Sequence, residues 1–412
     1  MVKIYSIESD SERYIPITLD SLVPGAQIPF EIFTHDGTFY KSLLDKNSVY
    51  SYFAQKMIED QGVSSFYIRQ GNSLRFEEYM RNADKLKKML LDPLFFESSY
   101  RDFRDKWFIV DKHVLNTGIP FTMPLAGLKF PLFGEIPFVI DNTAAYQHLL
   151  GLNSDIAIRR RDVDAYYTYL DTVLDTEDIE DPIIKLRARR EKIKVWCFRV
   201  LAEARNDAIK QDTLLKLYKH ISIVMTLITN NFSYAGKFLF FDVSDTFPYI
   251  HATNVCLMSL MHGHMLKIED SELLNLGIAA ILHDVGLVAI ADDVCEDSPN
   301  DTERELFKSH VLRGKELLDQ CKDVPRSAKT VALTHHELDD GSGYPDRLTG
   351  SRIHPFAKIV ALADTFEGLR VTGFKHTFMK RTKVLEHMVL HGHAFNPDYF
   401  KTFLQFVAGL DL

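Results

Sequence analysis

Seven side chains spread over the second half of the chain have the chemistry of metal ligands: His251, the doublet His283-Asp284, His310, the doublet His335-His336, and Asp364. Each falls within a helix-type stretch or at its end. Neighbouring residues on a helix point about 100° apart. One doublet can therefore address two ions about 3.5–4 Å apart, the usual spacing in two-metal hydrolytic sites. An aspartate can bridge both ions with its two oxygens, whereas each imidazole binds one. Five imidazoles with two carboxylates favour a borderline transition metal, iron or manganese, over magnesium.

Taken singly, every one of these residues is ambiguous in a chain with 16 histidines. A lone histidine on an apolar helix is more often packed and hydrogen-bonded than a ligand, and His262, His264, His391 and His393 are read as surface or packing residues. The ordered set differs. Both doublets follow apolar helices, "LLNLGIAAIL" and "SAKTVALT", that would bury them together, and buried charge at that density needs metal or pairing. The second doublet opens "HHELDDGSGYPD", in which glycines permit a tight turn and Pro345 restricts Tyr344 to an extended conformation.

The elements that must carry these groups are helices. Beyond residue 240, helix-type segments alternate with short loops and β signals vanish, so the C-terminal half is expected to be an all-α bundle. Residues 176–238 read as two long helices, with Pro182 in a first turn. The first 170 residues hold a weak repeat. "AQIPFEIFTHDGTFYKSLLDKN" is echoed by "GEIPFVIDNTAAYQHLLGLN", and "SSFYIRQGNSLRFEEYM" by "SDIAIRRRDVDAYYTYL". Each copy reads as a small α+β unit. The fold expected is thus α+β overall, divided into residues 1–90, 91–175, 176–238 and 239–412. The N-terminal repeats carry no visible chemistry and read as a sensory or adaptor module; Arg159, Arg160 and Arg161 read as a solvated strand end.

With 46% hydrophobic and 25% charged residues in 412, the chain is long enough for two or three domains with sizeable cores. A formal net charge of -9 supplies no global basic field, so no duplex nucleic acid partner is expected. An anionic substrate would need a local positive site, which bound metal ions can supply. Cys197, Cys256, Cys295 and Cys321 have neither CxxC nor zinc-finger spacing and read as reduced thiols. The polar opening "MVKIYSIESDSERYIP" lacks an apolar targeting core, and charge interrupts the most apolar run, "LGIAAILHDVGLVAIA", which falls short of a membrane span. A cytoplasmic protein without membrane association is expected.

In this order and spacing, "HDVG", "HHELDDGSGYP" and "ALADTFEGL" resemble the HD-GYP domain, a subgroup of the HD metal-dependent phosphohydrolase superfamily. The resemblance covers roughly residues 240 to 400, with "DTFPYIHATNV" near its start and "FNPDYF" near its end. It implies an all-helical domain that binds two ions, three in some members, often iron and also manganese, and hydrolyses cyclic di-GMP. The seven residues above fall on the metal-ligand positions, and Asp284, His335 and His336 on the catalytic ones. Gly343, Tyr344 and Pro345 fall on the loop that names the group, at the substrate mouth; Asp340, Arg370 and Lys375 are further substrate-side candidates. The resemblance implies that the His335-His336 pair serves both ions. Two cations would lower the pKa of a bridging water to give hydroxide, which attacks phosphorus in line with the leaving 3′ oxygen. The product would be linear pGpG, with GMP from a second cut. The partners implied are a cyclic dinucleotide, a second copy of the chain through residues 176–238, and a protein at the N-terminal module or the GYP loop.

Three departures from the pattern bear on activity. Leu287 stands where the family has a lysine near the substrate phosphate. "DTFEGLRVTGFKH" replaces the family's "D.YDALTS.RPYR", so the arginine aligns with Gly373 and the next basic position with His376, leaving Arg370 or Lys375 as substitutes. Losing one transition-state contact commonly costs about 10²–10³ in rate. Phe247 occupies the carboxylate position four residues before the first histidine, which implies two metals rather than three. Glu367 replaces the family's second aspartate and is placed to hydrogen-bond a ligand histidine; Glu337 reads as a brace for its helix. The alternatives left open are a phosphodiesterase of cyclic di-GMP, a catalytically weak cyclic-dinucleotide sensor signalling through the N-terminal module, and a hydrolase of another cyclic dinucleotide.

Overall fold

The structure is a computed structural model of the chain. It describes residues 13–18, 21–22, 28–35, 37–44, 46, 63, 65–81, 107–115, 117, 125–128, 155–177, 179, 181–232, 236, 247–290, 300–372, 377–378 and 381–409. The chain divides into two compact units. One comprises Met1–Trp107, Pro124–Val139 and Leu152–Ala157, the other Phe108–Met123, Ile140–Gly151 and Ile158–Leu412.

In the first unit, β1 (Tyr14–Ile17), β2 (Ile32–His35), β3 (Tyr40–Leu44) and β4 (Phe66–Arg69) form a sheet in the order β1-β4-β2-β3. All its pairings are antiparallel, with Tyr14 opposite Arg69 and His35 opposite Tyr40. Phe66 and Ile68 alternate inward along β4, as a strand with one buried face must. They join Leu22, Ile28, Phe30, Ile32 and Tyr79 in one core cluster.

The repeat read from the sequence is visible in local structure. β4 runs into a 3-10 turn, Gln70–Asn72, and then a helix; Asp155–Arg159 runs into a 3-10 turn, Arg160–Asp162, and then helix α1 (Val163–Asp175). Arg69 and Arg159, the residues entering the two turns, have nearly the same dihedrals, φ -66, ψ 140 and φ -65, ψ 141. Of the other echoed pair, the copy at 134–153 lies outside the described residues. Arg160 lays its guanidinium 5.0 Å over the Phe198 ring, a packing role.

The second unit is built of helices. After α1 come α2 (Pro182–Ala204), α3 (Gln211–Asn230), α4 (Pro248–Met265), α5 (Asp270–Leu282), α6 (Asp301–Lys308), α7 (His310–Asp319), α8 (Arg326–Thr334), α9 (Pro355–Arg370), α10 (Arg381–Leu390) and α11 (Pro397–Ala408). Asp181 starts α2 by accepting the Ile183 N–H ahead of Pro182. α4 is apolar nearly all round because it packs against α2, α5, α9 and α11 at once. Each large side chain it buries fully, such as Leu257 or Met261, contributes about 1.5–3 kcal/mol. The two helices read as a linker pack into this bundle, α2 on α3 and α4, and α3 on α5.

Two features differ from the sequence reading. A short antiparallel ladder, Val371–Thr372 with Thr377–Phe378, follows α9; β-branched residues on both limbs favour it. By length and composition, Asp270–Ala289 is also apolar enough to cross a membrane, although most of that window is buried within the bundle. Its apolarity reflects contact with α4, α8 and α3.

Candidate metal centre

Apart from Asp364, the ligand-type residues sit at or next to helix ends, all within the helical unit. His251 is in the first turn of α4, and His283 closes α5. Asp284 opens the 3-10 turn Val285–Ala289, while His310 begins α7. His335 closes α8 with His336 beside it, and Asp364 projects from the middle of α9. Close backbone approach makes this assembly possible. A Cβ on Gly286 would lie 2.0 Å from the His310 carbonyl oxygen, so only glycine lets the turn after Asp284 rest against α7.

Among the described residues the donor atoms form two groups: His251, His283, Asp284 and Asp364, and Asp284, His310, His335 and His336. Asp284 belongs to both. Its Oδ2 lies 3.3 Å from His283 Nε2 and 3.6 Å from His251 Nε2. Its Oδ1 lies 3.2 Å from His310 Nε2 and 3.3 Å from His335 Nε2. Asp364 Oδ1 completes the first group, 3.1 Å from His251 Nε2 and 3.8 Å from His283 Nε2. All seven sequence-derived ligand candidates thus converge. The division differs in one respect: His335 and His336 both join the second group, instead of serving one ion each. The two rings lie close, with centroids 4.2 Å apart.

The imidazoles are oriented for metal. The Nδ1 atoms of His283, His310 and His335 face the carbonyl oxygens of Ala280, Phe307 and Val331 at 2.6, 2.7 and 3.1 Å. A carbonyl only accepts, so Nδ1 carries the proton and each Nε2 lone pair turns to the centre. His283 Nε2 and Asp284 Oδ1 are buried there without a hydrogen-bond partner, as ligand atoms awaiting an ion would be. Burial and the neighbouring His335 hold His336 well below the usual imidazole range, leaving it neutral and able to ligate. Burial works against the charged forms of Asp284 and Asp364, yet the surrounding histidines hold both carboxyls well below their ordinary range. Burial likewise lowers His283, but Asp284 and Asp364 overcome it and lift that imidazole to about 9, so an ion bound at its Nε2 would displace a proton there. This donor set fits a pair of transition ions.

Around the centre, Glu367 Oε2 takes the His251 Nδ1–H at 2.6 Å, the role expected for it, and Asn254 Nδ2 donates to Glu367 Oε1 at 2.8 Å. Arg190, from α2, donates to Asn254 Oδ1 at 2.8 Å. Sequence reasoning missed the last two. Asn254 was findable as a polar residue one turn after His251 in an apolar helix. Arg190 was not, because "RARREKIK" reads as a solvated face although Arg190, Glu191, Lys192 and Lys194 are buried.

The GYP loop folds back on the second group. Tyr344 stacks on His336 with centroids 4.6 Å apart, and its N–H donates to the His336 carbonyl. A Cβ on Gly343 would meet the His336 carbonyl oxygen at 2.3 Å and Leu338 N at 2.5 Å, which explains the glycine before the tyrosine. Glu337 is buried and accepts the Asp346 and Leu348 N–H groups, bracing the loop more than its helix. Asp340 accepts from Ser342 N and Oγ, a turn-building role within the same loop. Pro345 follows Tyr344 in the loop and Arg370 ends α9, whereas Lys375, Gly373, His376 and Asp292 lie outside the described residues. Leu287 is half-buried in the turn after Asp284, and Phe247 is buried against Tyr249. Of the histidines set aside, His262 is fully buried beside Phe403, His264 packs on Phe232, and His391 and His393 take no part in either group.

The helical unit thus brings two imidazole groups to the two oxygens of one aspartate. Residues 243–398 match the family model described as HD domain. That segment carries an HD domain, and its motifs resemble those of the HD-GYP subgroup. It is 27% identical over 166 residues to a cyclic di-GMP phosphodiesterase of Pseudomonas aeruginosa, covering 40% of each chain. Over 159 residues it is 33% identical to a 3′3′-cGAMP-specific phosphodiesterase of Vibrio cholerae, covering 38% of this chain and 30% of that one. The chain therefore spans well under half the length of these relatives. Among solved structures, an HDG"Y"P protein from Bdellovibrio bacteriovorus aligns over 96% of this chain and all of that one, at 13% identity and a TM-score of 0.49.

Proposed function

We propose that the helical unit is a two-metal phosphodiesterase acting on a cyclic dinucleotide, cyclic di-GMP first, with linear pGpG as product and GMP from a second cut. The observation that carries this reading is the shared aspartate: the two oxygens of Asp284 face separate imidazole groups. A pair of iron ions, or manganese in their place, held there would supply Lewis acidity to a phosphodiester and lower the pKa of water at neutral pH. The chain's own part is to hold that charge in register. His251, His283 and Asp364 serve one side, His310, His335 and His336 the other, and Asp284 both. Gly343, Tyr344 and Pro345 form one wall of the mouth, with Asp340 shaping the turn. Lys308 Nζ lies 5.7 Å from the Tyr344 ring centroid and brings a cation to that wall, while Arg370 and Lys375 remain candidates for a phosphate contact. Cytoplasmic placement belongs to this reading, supported by the free thiols of Cys197, Cys256 and Cys321. So do the division at residues 90, 175 and 238, a homodimer through residues 176–238, and a protein partner at the N-terminal module or GYP loop.

The test is full-length protein loaded anaerobically with Fe(II) or Mn(II) and incubated with cyclic di-GMP and, separately, 3′3′-cGAMP. Linear dinucleotide is expected from at least one. Two bound ions with no turnover of either would overturn the reading. Leu287 favours a second reading, since an aliphatic side chain there offers a phosphate no charge: a sensor that binds the dinucleotide without cutting it. Calorimetry showing tight binding and intact ligand would select it.

A further inference from the structure

We propose that Arg190, on α2, is a positioning residue for the ion held by His251, acting through Asn254 and Glu367. The proposal rests on the two-ion reading above and adds a residue from outside the segment matched to the HD domain. His283, His310 and His335 each anchor Nδ1 on a carbonyl three or four residues earlier in the chain. His251, in the first turn of α4, does not. Its Nδ1 partner comes instead from α9, as Glu367 Oε2 at 2.6 Å. The geometry of His251 is thus the one set by tertiary structure.

Glu367 is itself held. Asn254 Nδ2 donates to its Oε1 at 2.8 Å, and Arg190 Nη2 donates to Asn254 Oδ1 at 2.8 Å. Arg190, Asn254 and Glu367 are 5%, 0% and 1% exposed, so water does not compete for these bonds. The relay has one direction. A guanidinium only donates and a carboxylate only accepts, so the Asn254 amide has a single orientation that satisfies both neighbours. Flipping it would set donor against donor and acceptor against acceptor. Arg190 therefore locks Asn254, Asn254 holds Glu367, and Glu367 keeps the His251 Nε2 lone pair directed at Asp284 and Asp364.

The next residue of α2, whose Oε1 lies 3.6 Å from Arg190 Nη1, ties the same turn to other elements. Glu191 accepts the Tyr166 O–H at 2.8 Å and the Asp111 N–H at 3.3 Å, and pairs with Lys194 at 2.5 Å. One turn of α2 is thus fixed both to α1 and to the relay.

The experiment titrates metal-free full-length protein with Mn(II) in competition with a chromophoric chelator. Arg190→Met should weaken one of the two equivalents about 10- to 100-fold, the usual effect of removing an outer-shell partner, and leave the other within about twofold. Arg190→Lys, which can still donate to Asn254 Oδ1, should recover most of the loss. A folded Arg190→Met protein that binds both equivalents like the wild type, or loses both equally, overturns the proposal. If Arg190→Met does not fold, Asn254→Ala carries the same test with the same outcomes. Wild-type protein that binds no Mn(II) would bring down the two-ion reading itself, and this proposal with it.

Discussion

Glu337→Gln is the sharpest probe of how the GYP loop is held. The wild-type side chain is 1% exposed, with Oε1 accepting the Asp346 N–H at 2.7 Å and Oε2 the Leu348 N–H at 2.8 Å. Glutamine has the same shape but replaces one of those oxygens with an amide donor, so one backbone N–H must face another donor. A hydrogen bond to a charged group contributes about 1.5–3 kcal/mol. At about 1.4 kcal/mol per decade, its loss raises the local opening constant about 10- to 150-fold. Residue-resolved hydrogen exchange should show that acceleration at Asp346 or Leu348, with α4 and α5 unchanged. Two bound ions should remain, because Glu337 belongs to neither ligand group. The dinucleotide KM should rise as the wall formed by Tyr344 loosens. Exchange at both amides within twofold of the wild type would show that the carboxylate does not hold the loop.

Asp284→Asn leaves one oxygen where two are shared, so metal analysis should fall from two ions per chain to one or fewer; two full equivalents would refute the bridging assignment. Leu287→Lys returns a cation to the turn beside the centre and should raise turnover at least tenfold, in line with the magnitude of one such contact; unchanged turnover means that another group already meets the phosphate. His262 is fully buried, and burial depresses it to about 4 from an ordinary 6.5. The unfolded chain then takes up the proton first, so its contribution to stability is complete above about pH 6.5 and is lost as pH falls toward 4. Roughly 3 kcal/mol is at stake. Urea midpoints should drop across that window and drop less in His262→Leu; parallel curves would refute this.

Legibility followed the range of the interactions. The metal set was legible because it obeys local rules: helix periodicity, doublets after apolar runs, and the "HHELDDGSGYP" turn each lie within a short window. The repeat was legible for the same reason, and the shared dihedrals at Arg69 and Arg159 follow from it. Glu337 was placed correctly beside the site, but its partners nine and eleven residues on decide that it braces the loop. That His335 and His336 fall in one group depends on where Asp284 and His310 come to lie, which no local pattern carries.

By itself the sequence determined which atoms can bind metal and which segments become helices, since residue type and spacing along one element settle both. Tertiary structure alone decided that the two oxygens of Asp284 face separate groups, that the two imidazole groups divide as they do, and that Arg190 is buried within reach of Asn254. The reason is physical. A charged run such as "RARREKIK" has the same helical pattern whether water or another helix faces it. Packing α2 against α4 supplies the Asn254 acceptor that, with the neighbouring Glu191 carboxylate, makes a buried guanidinium tolerable.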